Sequence, residues 1–355
     1  MSKSAQRGDC LVYGSALAHR GGTGVYLRRL LRGLDAEEAA VRVVSPGGIL
    51  TPDEALELRG WPHGPRKLVF EYLSAPRIAE GAGAGAVHLP AFAGRPPNGT
   101  PFVVTVHDMA YLARPSWFPP LRSLYYRLLF TRVARAADLV MTDSAFTGRE
   151  AVRLAGVDPG RIRVVHLCAD NAAADPAPLL DRLGLEAGYL LYVGTVEPRK
   201  NLPALLDALR MLREQGRDIG LLVAGRWGWG SADLRRRLSS QPGVLWAGPL
   251  GRRDLERAYR GASLLVYPSL YEGFGLPPLE AARAGVPSVV GPAEALREVY
   301  ADAAFHSAGD PASLAKTVEE ALESPAPAGM DGLVERLTCR RMARKVAEVY
   351  SELLR

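Results

Sequence analysis

Residues 269–290 read SLYEGFGLPPLEAARAGVPSVV. They follow a short apolar β-type run, SLLVY at 263–267, which Pro268 and Ser269 end. Gly273 and Gly275 bracket Phe274, and glycine permits a tight turn with close approach of backbone to a ligand. Leu276, Pro277 and Pro278 lead into a helix that Ala281, Ala282, Arg283 and Ala284 continue and Gly285 is placed to end. Taking Pro278 as the first helical residue puts Glu280 in the first turn, with Glu272 in the loop ahead of it. The expectation is a pair of carboxylates flanking an N–H-rich pocket that suits an anionic ligand with hydroxyls. The plain alternative is a glutamate that merely complements the helix dipole, worth about 0.3–1 kcal/mol.

A second stretch has the same grammar. YLLYVGTVEPRKNLPALLDALRML, residues 189–212, begins as a buried strand. Gly194 and Thr195 open a loop, and Arg199 and Lys200 stand just before Asn201, an N-cap type, and Pro203. Leu205, Leu206, Leu209 and Leu212 then form a helical apolar stripe. Arginine offers a forked clamp for phosphate oxygens and lysine a mobile point charge. The alternative is a solvated Arg-Lys pair on a loop.

GTVEPRKNL together with EGFGLPPLEAARAGVP resembles the C-terminal half of a retaining glycosyltransferase of family 4, with Glu272 and Glu280 matching that family's E-x7-E motif. The likeness continues through LREVYADAAFHSAGDPASLAKTVEEAL and, in the first half, through GGTG, TVHDMAYLARPSWFP and ADLVMTDSAFTGRE. It implies an α/β chain of GT-B architecture, with two Rossmann-like domains whose parallel sheets face a cleft. The alternating strand and helix signals agree. Strands are expected at 11–13, 41–44, 86–89, 102–106, 139–142 and 162–166, then at 190–193, 220–224, 244–246, 264–267 and 288–290. The expected layout is a first domain at 1–170 that takes the acceptor, an Ala- and Pro-rich linker at 171–188, a nucleotide-sugar domain at 189–340, and a helix at 341–355 crossing back to the first domain. The C-terminal segment 333–354 reads as helical.

The resemblance also distributes roles. Glu272 meets donor-sugar hydroxyls near the reacting centre, and Glu280 holds the ribose hydroxyls. Arg199 and Lys200 stabilise the leaving diphosphate, helped by backbone N–H groups near Gly194 and from Gly273, Phe274, Gly275 and Leu276. Arg226 and Leu250 lie near the base. Gly22, Thr23 and Gly24, between a strand and a helix, match a loop near donor phosphate; the third glycine of a full dinucleotide fingerprint is Leu27 here, and a tight strand-to-helix turn accounts for them equally. His107 and Asp108 end the run FVVTV, where His107 could bond a donor hydroxyl or sit near the acceptor. Ser144 reads as a helix N-cap.

Composition sets wider limits. The chain has 355 residues, 48% hydrophobic and 23% charged, an ordinary globular mix. A net charge of +6 with scattered arginines and no nucleic-acid motif points away from nucleic acid as partner. Cys10, Cys168 and Cys339 are widely spaced, show no disulfide or zinc pattern and suggest a reducing cytoplasm. No signal-type or membrane-spanning apolar run is evident. The stretch LRSLYYRLLFTRVARAA, 121–137, could rest on the inner face of a membrane or pack on its own domain. The chain contains no Asp-x-Asp, so protein cations rather than a metal are expected to carry phosphate charge, and no cofactor is expected. The expected activity is retaining, metal-independent glycosyl transfer from a nucleotide-diphosphate sugar, with GDP-mannose favoured by likeness to mannosyltransferases, to a saccharide, lipid-linked or natural-product acceptor. The alternatives are a sugar-nucleotide epimerase of the same fold and a non-catalytic nucleotide-sugar-binding protein. Oligomeric state is not readable.

Overall fold

Apolar runs without alternation form the sheets, because strands covered by helices on both faces need apolar side chains on both. In the computed structural model, which describes residues 9–19, 21–91, 94–170 and 174–355, CLVY, FVVTV and YLLYV are buried at every position. The chain divides into two units, one running to Cys168 and taking in Leu337–Arg355, the other comprising Ala169–Arg336.

The first unit holds seven strands: β1 (Cys10–Tyr13), β2 (Val41–Ser45), β3 (Gly48–Leu50), β4 (Ala86–Leu89), β5 (Phe102–Val106), β6 (Leu139–Thr142) and β7 (Ile162–Val164). Their order is β3-β2-β1-β4-β5-β6-β7. Every pair is parallel except β2–β3, where a two-residue turn adds an antiparallel edge. The second unit holds β8 (Tyr189–Val193), β9 (Leu221–Ala224), β10 (Val244–Gly248), β11 (Ala262–Tyr267), β12 (Ser288–Val290) and β13 (Phe305–His306), all parallel in the order β10-β9-β8-β11-β12-β13. The order reverses between β1 and β4 in one sheet and between β8 and β11 in the other. In open α/β sheets, ligands bind outside the carboxyl ends of the strands at such a reversal. The loops after β8 and β11 carry the two stretches that the sequence singles out.

Three expectations about chain organisation need correction. Segment 171–188 is not a plain linker: its described part carries the helix Ala177–Leu183, closed by Gly184 at φ 61°, with Leu179 buried and Arg182 paired to Asp254 at 2.8 Å. Residues 171–173 lie outside the described residues. The last segment is two helices, Met330–Arg336 and Cys339–Leu353. Thr338 starts the second by accepting from the Arg341 amide at 3.3 Å, and the return to the first unit begins at Leu337 rather than 341. Finally, Cys168 and Cys339 form a disulfide. Their separation of 171 residues hides the pairing in the sequence, and it leaves the cysteine count no argument for a reducing compartment.

The helix Cys339–Leu353 belongs to the first unit for physical reasons. Met342, Ala343, Val346, Val349, Tyr350 and Leu353 form its buried stripe. Gly33 on the helix Gly22–Ala36 leaves room for it, since a Cβ there would lie 2.8 Å from that of Ala343. Glu37 accepts from Arg340 at 2.6 Å and from Arg344 at 2.7 Å. Inside, the Tyr350 hydroxyl lies 2.7 Å from His88 Nδ1, His88 Nε2 lies 2.8 Å from Thr105 Oγ1, and Thr105 Oγ1 lies 3.2 Å from the Tyr26 hydroxyl. Burial first, and His107 second, push His88 down to about 3, so it is a neutral link in this buried chain. Tyr350→Phe strands one ring nitrogen of His88 and is expected to cost about 1–3 kcal/mol in urea denaturation. An unchanged midpoint would show that the chain carries no stability.

Candidate active site

The loop after β8 turns at Gly194, whose amide donates to the Ala224 carbonyl at 3.0 Å, and runs through a single 3₁₀ turn, Pro198–Lys200. The Val196 amide donates to the carbonyl of Arg226 at 3.0 Å, which ties this loop to the one after β9. The Leu270 amide donates to the Arg199 carbonyl at 2.8 Å, which ties it to the loop after β11. Three neighbouring strands thus deliver their loops to one place.

The side chains there form one ion cluster. Lys200 Nζ donates to Glu272 Oε1 and to the Tyr267 hydroxyl, each at 2.5 Å, and Tyr267 donates to the same Oε1 at 2.9 Å. Arg199 Nη1 donates to Glu272 Oε2 at 3.2 Å and to the Tyr271 carbonyl at 3.3 Å, while its Nε bonds Glu197 at 2.5 Å. Glu272 is 5% and Lys200 7% exposed. Burial opposes ionisation of Glu272, but Lys200 and then Arg199 outweigh it and hold the carboxyl at about 2. Burial pulls the Lys200 ammonium below the usual lysine range against the attraction of Glu272.

This arrangement revises the reading of Arg199 and Lys200. The alternative of a solvated Arg-Lys loop pair is not met. Arg199 and Lys200 both bond Glu272 directly, and Lys200 is part of the interior. Glu197 and Tyr267 complete the cluster and were not singled out from sequence; both adjoin the quoted motifs.

The helix after the second loop is Leu276–Arg283, capped by Gly275 at φ 87°. A side chain at 275 would be strained by that φ, and its Cβ would lie 2.5 Å from Leu296 Cδ2. The helix starts two residues earlier than expected, so Glu280 lies beyond the first turn rather than in it. There it accepts from the Tyr259 hydroxyl at 2.9 Å. The expected N–H-rich helix start is also thinner than supposed. Pro277 and Pro278 have no N–H, which leaves donors at Leu276 and Leu279 among the first four residues. Phe274 is buried against Tyr300, with centroids 6.2 Å apart, so only its backbone can meet a ligand. Burial, then Glu280, with Glu272 a smaller influence, raise the Tyr300 phenol well above its ordinary range, so both carboxylates bear on this wall. Asn201 is no side-chain cap; at φ 56° it donates to the Gly309 carbonyl at 2.7 Å. Arg226 has an exposed side chain beyond β9, and Leu250 is half-buried beyond β10.

In the first unit, the helix Gly22–Ala36 begins after Gly21 with no side-chain cap and no acidic residue in its first turn, so Gly22 and Thr23 sit where backbone N–H groups have no helical acceptor. Gly24 has a packing reason: a Cβ there would fall 1.8 Å from the His19 carbonyl oxygen. His107 follows β5. Its Nδ1 lies 2.8 Å from Asp143 Oδ2 and its Nε2 3.1 Å from the Pro90 carbonyl, and the Tyr26 ring meets it edge-on at 4.8 Å. Both ring nitrogens face acceptors. Burial opposes the imidazolium, but Asp143 and these bonds raise the pKa of His107 above its ordinary value. The reading in which a ring nitrogen of His107 bonds a sugar hydroxyl is therefore not met here, since each already has a protein partner. Asp143, one residue before the Ser144 cap, was missed. Asp108 accepts from the Ala110 amide at 3.0 Å, and Ser144 caps as read, accepting from the Thr147 amide at 3.1 Å.

Comparison with known proteins places this geometry. The family model for Glycosyltransferase Family 4 matches residues 20–173, and that for Glycosyl transferases group 1 matches 182–344. The chain is 35% identical over 211 residues to O-antigen chain mannosyltransferase B of Escherichia coli, across 57% of this chain and 55% of that protein. It is 34% identical over 188 residues to a D-inositol 3-phosphate glycosyltransferase of Kineococcus radiotolerans, across 48% of this chain and 43% of that one. The match thus spans about half the length of these relatives. Among solved structures, Anabaena HepE in complex with UDP-glucose superposes with a TM-score of 0.72 at 19% identity, covering 97% of this chain and 99% of that one. Since the two models divide most of the chain between them, over parallel α/β sheets of this order, the chain belongs to the family 4, group 1 glycosyltransferases and carries the GT-B fold.

Proposed function

We propose that this chain transfers a hexosyl group, with retention and without a metal, from a nucleotide-diphosphate sugar to a saccharide or lipid-linked acceptor. Mannose from GDP-mannose is the favoured donor, because mannosyltransferases are among the similar proteins. The observation that carries the reading is the Lys200–Glu272–Arg199 cluster at the strand-order reversal of β8 and β11.

The chemistry follows from charge. The bond between anomeric carbon and phosphate oxygen breaks, leaving negative charge on the diphosphate and positive character on the sugar. Arg199 and Lys200 take up the first, and preorganised charge of this kind is a large catalytic term. Glu272, ionised at any physiological pH, cannot donate a proton; it accepts from sugar hydroxyls and favours the developing positive charge. The acceptor hydroxyl forms the new bond on the same face and gives its proton to the departing phosphate oxygen. Glu280 accepts from the ribose diol, as a carboxylate can accept two hydrogen bonds. Gly22 and Thr23 offer amides to an anionic group, Gly194, Gly273 and Gly275 let backbone approach the donor, and Arg226 and Leu250 flank the base. His107, held by Asp143 and the Pro90 carbonyl, borders the loop after β4.

The test is a thermal-shift screen with GDP, UDP, ADP and TDP and their sugars, followed by product analysis with a lipid-linked saccharide. A bound nucleotide at about 100 times its dissociation constant adds about 2.7 kcal/mol of stability. GDP should stabilise most, and transfer should survive EDTA with the anomeric configuration kept. Donor conversion without an acceptor would make the chain an epimerase, binding without any turnover would make it a sugar-nucleotide receptor, and activity lost to EDTA and restored by Mg²⁺ would overturn metal independence.

A further inference from the structure

The chain passes from the first unit to the second after Cys168 and returns at Leu337. The Cys168–Cys339 disulfide therefore sits at both passages at once, and it closes all of Ala169–Arg336 into one covalent ring. The helix Gly22–Ala36 rests on the two cysteines. Arg29 and Gly33 stand one helical turn apart on it. Arg29 Nη1 donates to the Cys168 carbonyl at 2.9 Å, and a Cβ at Gly33 would lie 3.1 Å from the Cys339 carbonyl oxygen. The same helix begins at Gly22 and Thr23, the amides proposed above to meet an anionic group. One bond thus holds both connections between the units and the seat of a helix that opens on the candidate site.

The two cysteines are not alike. Cys168 is buried, whereas Cys339 is half-buried. Cys339 is also the first residue of the helix Cys339–Leu353, which has no acid in its first turn. Arg340, Arg341, Arg344 and Lys345 follow before the first acid, Glu348. A helix N-terminus and nearby cations stabilise a thiolate. Stabilising the reduced form makes a disulfide easier to reduce, and a stabilised thiolate leaves readily. A permanent staple would instead gain from hiding both sulfurs from incoming thiolates. We infer that Cys168 and Cys339 form a reversible redox site, opened by a dithiol and closed by a disulfide oxidant, that switches sugar transfer through the helix Gly22–Ala36. In the first step a thiolate of the dithiol attacks Cys339 Sγ. A mixed disulfide forms, the Cys168–Cys339 bond breaks, and Cys168 takes up a proton. In the second step the other sulfur of the dithiol, as thiolate, attacks its partner sulfur in the mixed disulfide, and Cys339 leaves as thiolate. Two electrons pass to the protein, the dithiol becomes a disulfide, and its second proton goes to water.

The effect on transfer rests on the function proposed above; the thiol chemistry stands apart from it and is read without turnover. Full-length protein treated with oxidised glutathione, then denatured and alkylated with a maleimide, should be marked at Cys10 alone. Native oxidised protein given thioredoxin or dithiothreitol, without denaturant, should become marked at Cys168 and Cys339 as well, and reoxidation should reverse this. Hydrogen exchange in Gly22–Ala36 should quicken about tenfold on reduction. Cys339→Ser should show the fast exchange with or without reductant, and reduced wild type gives the same reading should that variant not fold. Sugar transfer should fall about tenfold on reduction and recover on reoxidation. Alkylation of all three cysteines after oxidation, or opening of the pair in denaturant only, would overturn the proposal. So would exchange unchanged by reduction, or equal transfer in the two states of a protein that binds nucleotide. A thermal shift with GDP absent from both states would count against the proposed enzyme function and leave the alkylation and exchange results standing.

Discussion

Lys200→Ala is expected to destabilise the protein by about 3 kcal/mol, the lower end of the 3–5 kcal/mol seen when one partner of a buried ion pair is removed. Glu272 would stay buried with its closest counter-charge gone, while Arg199 at 3.2 Å continues to hold the other oxygen. Lys200→Met with Glu272→Gln should recover most of the loss, because it removes the stranded charge rather than exposing it. Acid gives a second view of the same pair. The carboxyl of Glu272 is held at about 2, below its ordinary 4.5. A depressed carboxylate contributes stability that is complete above the unfolded value and is lost as pH falls through the folded one. Glu272→Gln should therefore be less stable than wild type at pH 7, and the gap should close between about pH 4.5 and 2. Urea denaturation across that range measures both effects. A cost under about 1 kcal/mol for Lys200→Ala would mean that the ammonium turns to solvent and that the cluster is a surface pair.

The cluster also shows where sequence reading ends. Strand, glycine, cation pair and helix were legible at 189–212, and strand, glycine loop and helix at 263–290, because each is written in neighbouring residues. What could not be read was that the two meet. That depends on β8 and β11 being adjacent in the sheet while β9 and β10 lie between them in the chain. The same holds for His107 and Asp143. Each ends an apolar strand, but only the pairing of β5 with β6 sets them 2.8 Å apart. Ser144 was legible as a cap because its partner, Thr147, is three residues away. The edge strands Gly48–Leu50 and Phe305–His306 were missed because two or three residues carry no period. The helix start at 276 was misplaced because two prolines look like the first turn wherever it begins. His88 was passed over because nothing in its own neighbourhood signals Tyr350, 262 residues away.

Glu272 and Glu280 should separate cleanly in binding and turnover. Glu280 accepts from the Tyr259 hydroxyl. If it holds the ribose, Glu280→Ala weakens free nucleoside diphosphate and intact donor alike, by about 1.5–3 kcal/mol for hydrogen bonds to a charged group. That is uniform binding, and its loss raises the donor KM with little change in kcat. Glu272 differs because it already neutralises the groups proposed to receive the diphosphate. Glu272→Gln removes one negative charge beside Arg199 and Lys200, so free diphosphate should bind more tightly, by about 1 kcal/mol or roughly fivefold. Turnover should nevertheless fall about 10²–10³-fold, the range seen when one preorganised electrostatic partner of a transition state is removed. Tighter product-like binding with slower transfer is a signature that a structural glutamate would not give. If both residues only brace loops, both variants lose stability and neither changes diphosphate affinity. Calorimetry with diphosphate alone, then steady-state kinetics with the donor identified by the screen, distinguishes the cases. Weaker diphosphate binding in Glu272→Gln would sink the division of labour, because the carboxylate would then be positioning the cations rather than competing for them.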